Sequence, residues 1–468
     1  MKDSQINQLT RFALETGFND IPGKTVDQLK KHLLDSIGSF IYAAERPTIR
    51  KLIRQIQVLS VDKGTGFSLA KTSLDRIAEL YTALIRYPDF MDNFIGKEAT
   101  CHPSDHIGAL LAVSSHLNLG GRDFLAAMAI GYDIECRLVE EIPVMVKGFD
   151  HTVLLGYSLT AAISRLLKLS SGQTANALGI TGCSNNPLVT CRASYTYEWK
   201  GLASAFVAQN CVNIALLAKE GITGPIDLFD GPKGFHEIYG MALKHDWGKE
   251  DFSLIEKCVL KSYNAEVHTQ SAIEAVLELR EKYTPIAEEI MSIDLTTFLT
   301  AFHIVGGGAY GDRHSVFSKE QADHSLPYLV AVALLDGKVY PEQLLKERIH
   351  GEDVQQLLKK VEVHTGLPFH KPVQIAGMLD PKTIAYPEKL MTDVSITLKD
   401  GVKLRSSRED YNGFYTRPFS WEDTENKFSR LTAGLIDGNT QQHITDLCRN
   451  LENEDVSSLT EILNAIIH

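Results

Sequence analysis

The sequence is poor in paired cysteines, in excess positive charge and in long apolar runs. Its seven cysteines, Cys101, Cys136, Cys183, Cys191, Cys211, Cys258 and Cys448, are odd in number and scattered, with no CxxC spacing among them. That excludes a disulfide framework, an iron–sulfur site and a structural zinc site, and it points to a reducing compartment. Lys and Arg number 47 against 59 Asp and Glu, a formal net charge of -12. No global positive field therefore advertises nucleic acid or an acidic membrane as a partner, and an anionic substrate would need local cations. No stretch approaches the roughly 18 apolar residues of a membrane span, and MKDSQINQLTRFALETG lacks the apolar core of a signal peptide. The expected location is cytoplasmic. Internal repeats and low-complexity tracts are also missing.

What is present is an ordinary globular composition, 44% hydrophobic and 23% charged over 468 residues, long enough for two or three domains. Apolar residues at helical spacing recur in TVDQLKKHLLDSIGSFIYAAE, SLDRIAELYTALIRY, HIGALLAVSSHL, RDFLAAMAIGYDIECRLVEEI, YSLTAAISRLLKL and GLASAFVAQNCVNIALLAKEG. In the first of these, Thr25 and Gln28 suggest a capping box. The first 260 or so residues thus read as helical. Beyond Lys261 the texture changes. MSIDLTTFLTAFHIV favours a strand, VEVHT and VSITLKDGVKLRS alternate like half-buried strands, and Asp400-Gly401 suggests a two-residue hairpin. SLPYLVAVALLDG reads as an apolar helix ending near Gly337, and helical texture returns from about Trp421. The expected fold is mainly α, a large all-helical domain from both chain ends (1–265 and 413–468) with a smaller inserted α+β lid domain (266–412).

Several stretches carry chemistry. Gly306, Gly308 and Gly311 satisfy GxGxxG, but DRHSVFSKEQ follows where a dinucleotide site needs a helix, so a glycine loop is the better reading. RYPDFMDNFIGKEATCHPSDHIGALLAV places Arg86, Asp89, Asp92, Asn93, His102 and Asp105 in a polar loop between apolar helices. His102 would stand at a helix N-terminus, a natural seat for a carboxylate, and histidine can act there as general acid or base. The plainer reading is that Ser104 or Asp105 caps the helix and His102 is a surface residue. Asp150 and His151 open another helix, and Lys200 precedes a small-residue-rich one. Lys261, Tyr263, Glu266, His268 and Gln270 crowd where the helical texture ends, as pocket residues do. Asp323, His324 and Ser325 precede the apolar helix and could be no more than its cap. No HExxH appears, and Asp89 or Asp105 with His102 makes a carboxylate-poor set for a divalent ion, so no metal or other cofactor is expected.

Taken together, these stretches resemble the MmgE/PrpD family of 2-methylcitrate dehydratases and cis-aconitate decarboxylases. The resemblance is carried by RYPDFMDNF with CHPSDHIGALLAV, KGFDH, WKGLASAFVAQN running into AKEGITGP and FDGPKGF, KSYNAEVHTQSAIEA, ADHSLPYLVAVALLDG and WEDTENKFSRL, collinear over roughly residues 80 to 430. It implies a homodimer with an active site in the cleft between domains, needing no metal or iron–sulfur cluster. It also implies catalytic roles for His102, His151, Asp89, Lys200 and His268, and substrate contacts from Asn93, Lys261, Tyr263, Gln270 and Tyr328. Asn93 stands where the family usually has threonine, Asn264 where it has proline, and His106 where dehydratase-like members often have asparagine. Decarboxylase-like members carry a histidine near Gln270 rather than at His268, and their Lys200 block takes a different form, so the dehydratase branch is favoured. The activity implied is dehydration of 2-methylcitrate to 2-methyl-cis-aconitate, as in propionate metabolism. The alternatives are cis-aconitate decarboxylation, epimerisation of a small dicarboxylate such as iminodisuccinate, or a catalytically silent tricarboxylate-binding member.

Overall fold

In the computed structural model, residues 4–59, 68–96, 99–193, 195–366 and 379–467 are described. The chain is mainly helical with a small sheet-containing region, and it clusters into two units. The first comprises Met1–Val189, Gly201–Leu260 and Phe419–His468, and the second Thr190–Lys200 with Lys261–Pro418. The texture of the sequence suggested boundaries near 265 and 412 and gave no sign that 190–200 groups with the later segment. Among the described residues no helix is long and apolar enough to cross a membrane.

The first unit is built from α1 (Gln5–Glu15), α2 (Gly23–Ala43), α3 (Pro47–Leu59), α4 (Leu74–Arg86), α5 (Asp105–His116), α6 (Gly121–Glu141), α7 (Thr152–Leu166), α8 (Ser171–Ser184), α9 (Ala203–Lys219) and α10 (Phe235–Tyr239). Helix α2 starts two residues before Thr25, because Pro22 fixes the entry and its carbonyl accepts from Thr25 N and Val26 N. Thr25 is buried in the first turn, so the expected capping box is not the device used. Helices α5 and α7 bury nearly every residue, as helices that are apolar all round must. Helix α5 crosses α4 at Gly108, where a Cβ would lie 2.3 Å from the backbone nitrogen of Thr82. Only glycine permits that approach.

The closing helix Trp421–Thr432 lies on α2: Trp421 Nε1 donates to Asp27 Oδ1 (2.8 Å), and Lys427 Nζ sits 2.7 Å from Asp35. Its start is a true capping box, Ser420 Oγ accepting from Asp423 N and Asp423 Oδ2 from Ser420 N. A two-residue antiparallel ladder, β1 (Phe94–Ile95) with β2 (Thr100–Cys101), closes the loop between α4 and α5.

The second unit holds a four-stranded sheet of β3 (Ile290–Thr297), β4 (Val361–Thr365), β5 (Thr392–Leu398) and β6 (Lys403–Arg408), in the order β4-β3-β5-β6. Strands β3 and β4 are parallel, and the other two pairs antiparallel. The helices α11 (Gln270–Tyr283), α12 (Leu299–Val305), α13 (Lys319–Ala322) and α14 (Leu326–Asp336) accompany it, with α11 packed on β5 and β6.

Two expectations need correction. The strand expected through MSIDLTTFLTAFHIV stops at Thr297, and Leu299–Val305 turns helical, its first N–H taken by Thr383 Oγ1 at 3.0 Å. Tertiary capping overrides the β preference of those side chains. The Asp400-Gly401 hairpin has a three-residue loop: Gly401 N donates to Leu398 O, Leu398 N to Val402 O, and Gly401 takes φ +87°. That is a type I turn closed by a left-handed glycine. Behind Gly306, Gly308 and Gly311 the next helix is Lys319–Ala322, so no dinucleotide cradle forms.

Candidate active site

In the first unit the loop from α4 to α5 gathers the polar residues. Arg86 ends α4, where the helix dipole favours a cation. Its Nη1 lies 3.1 Å from Asp89 Oδ1, its Nε 3.8 Å from Asp105 Oδ1, and its Nη2 3.2 Å from His102 Nε2. Arg86, Asp89, Asp105 and His102 are all buried. Asp89 takes φ +57°, the left-handed region that aspartate tolerates better than most residues. Asn93 is held by paired backbone hydrogen bonds to Val259, and its amide reaches His102 Nδ1 (3.1 Å). The same Nδ1 lies 3.0 Å from the carbonyl oxygen of Asp92.

Asp92 anchors this loop. Its Oδ1 accepts from Ser104 N (2.9 Å), and its Oδ2 accepts from Tyr132 Oη (2.8 Å) and from His32 Nδ1 (2.6 Å). Burial alone would raise its pKa, but the His32 and Ser104 hydrogen bonds outweigh that and hold the carboxyl below the ordinary range. The N-terminus of α5 is thus capped from a distance by Asp92, and Ser104 and Asp105 do not supply the side-chain cap expected of them. His106 faces the core, with Nδ1 on Pro103 O (2.8 Å) and Nε2 on Ser158 Oγ (2.7 Å). Burial pushes its pKa down to about 4.

His151 precedes α7, whose first turn is capped by Asp150 Oδ1 accepting from Thr152 N (3.1 Å) and Thr152 Oγ1 (2.7 Å). The rings of His151 and His102 meet edge to face with centroids 5.4 Å apart, and both are almost fully buried. Two imidazoles at this separation, beside a guanidinium and its carboxylates, can serve one substrate as proton acceptor and proton donor.

The second unit holds a cluster of its own. Lys200 Nζ donates to Asp323 Oδ1 (3.0 Å) and lies 3.1 Å from His324 Nδ1, while Lys319 Nζ is 2.9 Å from Asp323 Oδ2. Against the opposing effect of burial, Lys200, Lys319 and His324 hold the Asp323 carboxyl well below the usual range. Only Ser325 of the three residues before α14 serves as its cap, accepting from Tyr328 N. His268 Nδ1 lies 2.7 Å from Glu266 Oε1 and its Nε2 3.1 Å from Tyr386 Oη, so a carboxylate and a phenol fix its ring. Glu266 is likewise held low, its burial outweighed by His268, His324 and Lys261. Lys261 is fully buried and Tyr263 half-buried.

The structure therefore brings Asp89, Asn93, His102 and His151 together in one unit, and Lys200, Lys261 and His268 lie in the other. Two expected substrate contacts are better read as structural. The Gln270 amide is engaged by Tyr263 N, Tyr263 O and Ala265 O, and the Tyr328 hydroxyl donates to Gln343 O with the ring fully buried. Backbone groups already occupy their polar atoms. His32, Tyr132 and Tyr386 were not singled out by the sequence. An aromatic or imidazole inside an apolar stripe looks like core, and only a polar tip needing a partner could have flagged it.

Comparison with known proteins was consistent across the chain. The model of the MmgE/PrpD N-terminal domain matches residues 7–246, and that of the MmgE/PrpD C-terminal domain matches residues 263–453. A mitochondrial 2-methylcitrate dehydratase of Yarrowia lipolytica is 28% identical over 70% of this chain and 64% of its own length. The 2-methylcitrate dehydratase of Escherichia coli (strain K12) is 25% identical over 81% of this chain and 80% of its own. The cis-aconitate decarboxylase of Homo sapiens is 24% identical over 92% of this chain and 95% of its own.

Proposed function

Because the chain belongs to the MmgE/PrpD family, we propose that it is a lyase acting on a small tricarboxylate, dehydrating 2-methylcitrate to 2-methyl-cis-aconitate. The observation that carries this reading is the buried pair His102 and His151, 5.4 Å apart. Dehydration needs a base for a weakly acidic C–H beside a carboxylate and an acid for the departing hydroxyl. Two histidines supply both, and Asp89, through its ion pair with Arg86, sets the charge around them. Lys200 and Lys261 are the cations assigned to substrate carboxylates, as a negatively charged protein requires. His268, its ring fixed by Glu266 and Tyr386, is the third imidazole available for proton transfer.

Decarboxylation of cis-aconitate is the second reading, favoured by the nearly full-length match to the human decarboxylase. One assay separates them: the purified protein receives methylcitrate isomers, citrate and cis-aconitate, and products are followed by NMR with a carbon dioxide measurement. Alkene from methylcitrate supports dehydration, and carbon dioxide from cis-aconitate supports the second reading. Deuterium exchange without net product indicates epimerisation, and binding without turnover a silent member. His102→Gln should lower turnover at least about 100-fold while circular dichroism stays unchanged. Near-normal turnover in that variant removes His102 from the chemistry.

A further inference from the structure

We infer that Arg86 is the positioning residue of His102, fixing its tautomer and keeping it neutral, and that His102 therefore acts as the proton acceptor of the pair. The inference rests on the lyase reading for its second half only. A guanidinium has donors and no acceptor, so the Arg86 Nη2 contact at 3.2 Å requires a lone pair on His102 Nε2. The ring proton must then sit on Nδ1. At Nδ1 two groups face the ring: the Asp92 carbonyl oxygen, 3.0 Å away, which can only accept, and the Asn93 side-chain amide, 3.1 Å away. The two ends of that amide are interchangeable, and its oxygen, otherwise buried without a hydrogen bond, accepts the same proton when it is turned to the ring. Arg86 on one side of the ring and the Asp92 carbonyl on the other thus favour the same neutral tautomer, with the Asn93 amide oxygen toward Nδ1. Asp92 is well placed to enforce its half, because Ser104 N, Tyr132 and His32 hold its side chain while its carbonyl faces the ring.

A second proton on Nε2 would turn the Arg86 contact into donor against donor and place two cations about a hydrogen-bond length apart. The charged form of His102 is thereby disfavoured. The groups gathered here are Arg86 from α4, Asp89 and Asp92 from the loop, Asp105 from α5 and His151 before α7. Asp89 and Asp105 pull toward protonation, but Arg86 stands against both. Neutral His102 can accept a proton and cannot give one up as an acid, which leaves the acid role to the other histidine. In the reaction the Nε2 lone pair takes the proton from the carbon beside the carboxylate, and the C–H electrons become the new double bond. The C–O bond breaks toward oxygen, which takes a proton from the acid and leaves as water. Arg86 can release Nε2 cheaply at that moment: 3.2 Å is long for such a bond, and its two carboxylates remain.

The test has two arms. In the unaltered protein, imidazole nitrogen and carbon shifts, with His102 assigned by its loss in His102→Gln, should show the Nδ1–H neutral tautomer at pH 7. The Nε2–H tautomer or an imidazolium there overturns the inference, whatever the protein catalyses. In the kinetic arm, Arg86→Gln should move the low-pH limb of kcat/KM upward by about one pH unit or more, since both carboxylates then act unopposed. Arg86→Lys should restore most of that shift. A rate loss in Arg86→Gln with an unmoved profile would mean that Arg86 only supports the fold or touches substrate, and the inference falls. If no tricarboxylate is turned over while the tautomer is as stated, the lyase reading fails and the positioning role stands.

Discussion

His106 shows how one residue can tie stability to pH without taking part in chemistry. Its ring is buried against the backbone of Pro103 and the hydroxyl of Ser158, and desolvation lowers its pKa from the usual 6.5 to about 4. The folded protein therefore keeps this histidine neutral while the unfolded chain protonates it below about pH 6.5. Stability from the neutral ring is complete above that pH and is lost as pH falls toward 4. Each unit is worth about 1.4 kcal/mol, so the loss from pH 7 to pH 5 is about 2 kcal/mol. Urea unfolding of the native protein and of His106→Asn at pH 7, 6 and 5 should show the native protein losing about 2 kcal/mol more than the variant. Parallel losses would show that His106 does not titrate this way. At this scale the sequence was readable where polar residues interrupt apolar helices, as at His102, His151 and Lys200. It was not readable where partners are distant: His32 and Tyr132 meet Asp92 across 60 and 40 residues. No local pattern encodes such a meeting.

Among elements, the contact of α4 with α5 sets the site, because Arg86 ends the one and His102 precedes the other. Gly108 sets how close they come. A Cβ there would meet Thr82 N at 2.3 Å and the Tyr81 carbonyl carbon at 2.5 Å, and both are backbone atoms that cannot swing aside. Gly108→Ala should force the helices apart, cost about 3 kcal/mol in urea unfolding and lower activity together with stability. Gly172→Ala is the control: nothing lies within 4 Å of its Cβ, so α8 should gain about 0.5 kcal/mol. A Gly108→Ala protein within about 1 kcal/mol of the parent would mean that the crossing is not set by this glycine. Both helices are plain in the sequence from their apolar spacing. Their crossing is not, since an isolated glycine in a helix reads only as a weak point. The hairpin at Asp400-Gly401 is similar: its place is legible, but the same dipeptide suits two-residue and three-residue loops, and the left-handed Gly401 with Asp400 accepting from Val402 N decides for the longer.

At the scale of the whole molecule, the first unit is discontinuous in sequence, closed by a segment that begins at Phe419. The texture from Trp421 showed that this segment is helical, but periodicity does not say which face of which helix receives it. The receiving surface is α2, where a Cβ on Gly38 would sit 3.3 Å from Phe428 and where buried Asp35 faces Lys427. Desolvation drives the Asp35 pKa up and Lys427 opposes it, so removing the lysine leaves a buried carboxyl without its cation. The segment also buries Phe428, Ile444, Val456, Leu459, Leu463 and Ile467. At about 1.5–3 kcal/mol each, these six side chains contribute on the order of 9–18 kcal/mol, as much as the net stability of a typical domain. A chain ending at Pro418 should therefore be insoluble or lack a cooperative unfolding transition. Supplying residues 419–468 as a separate polypeptide during expression should restore soluble protein that elutes with both pieces together. If the truncated chain alone is soluble and unfolds with the midpoint of the intact protein, the closing helices are an appendage, and the core of the first unit is complete without them.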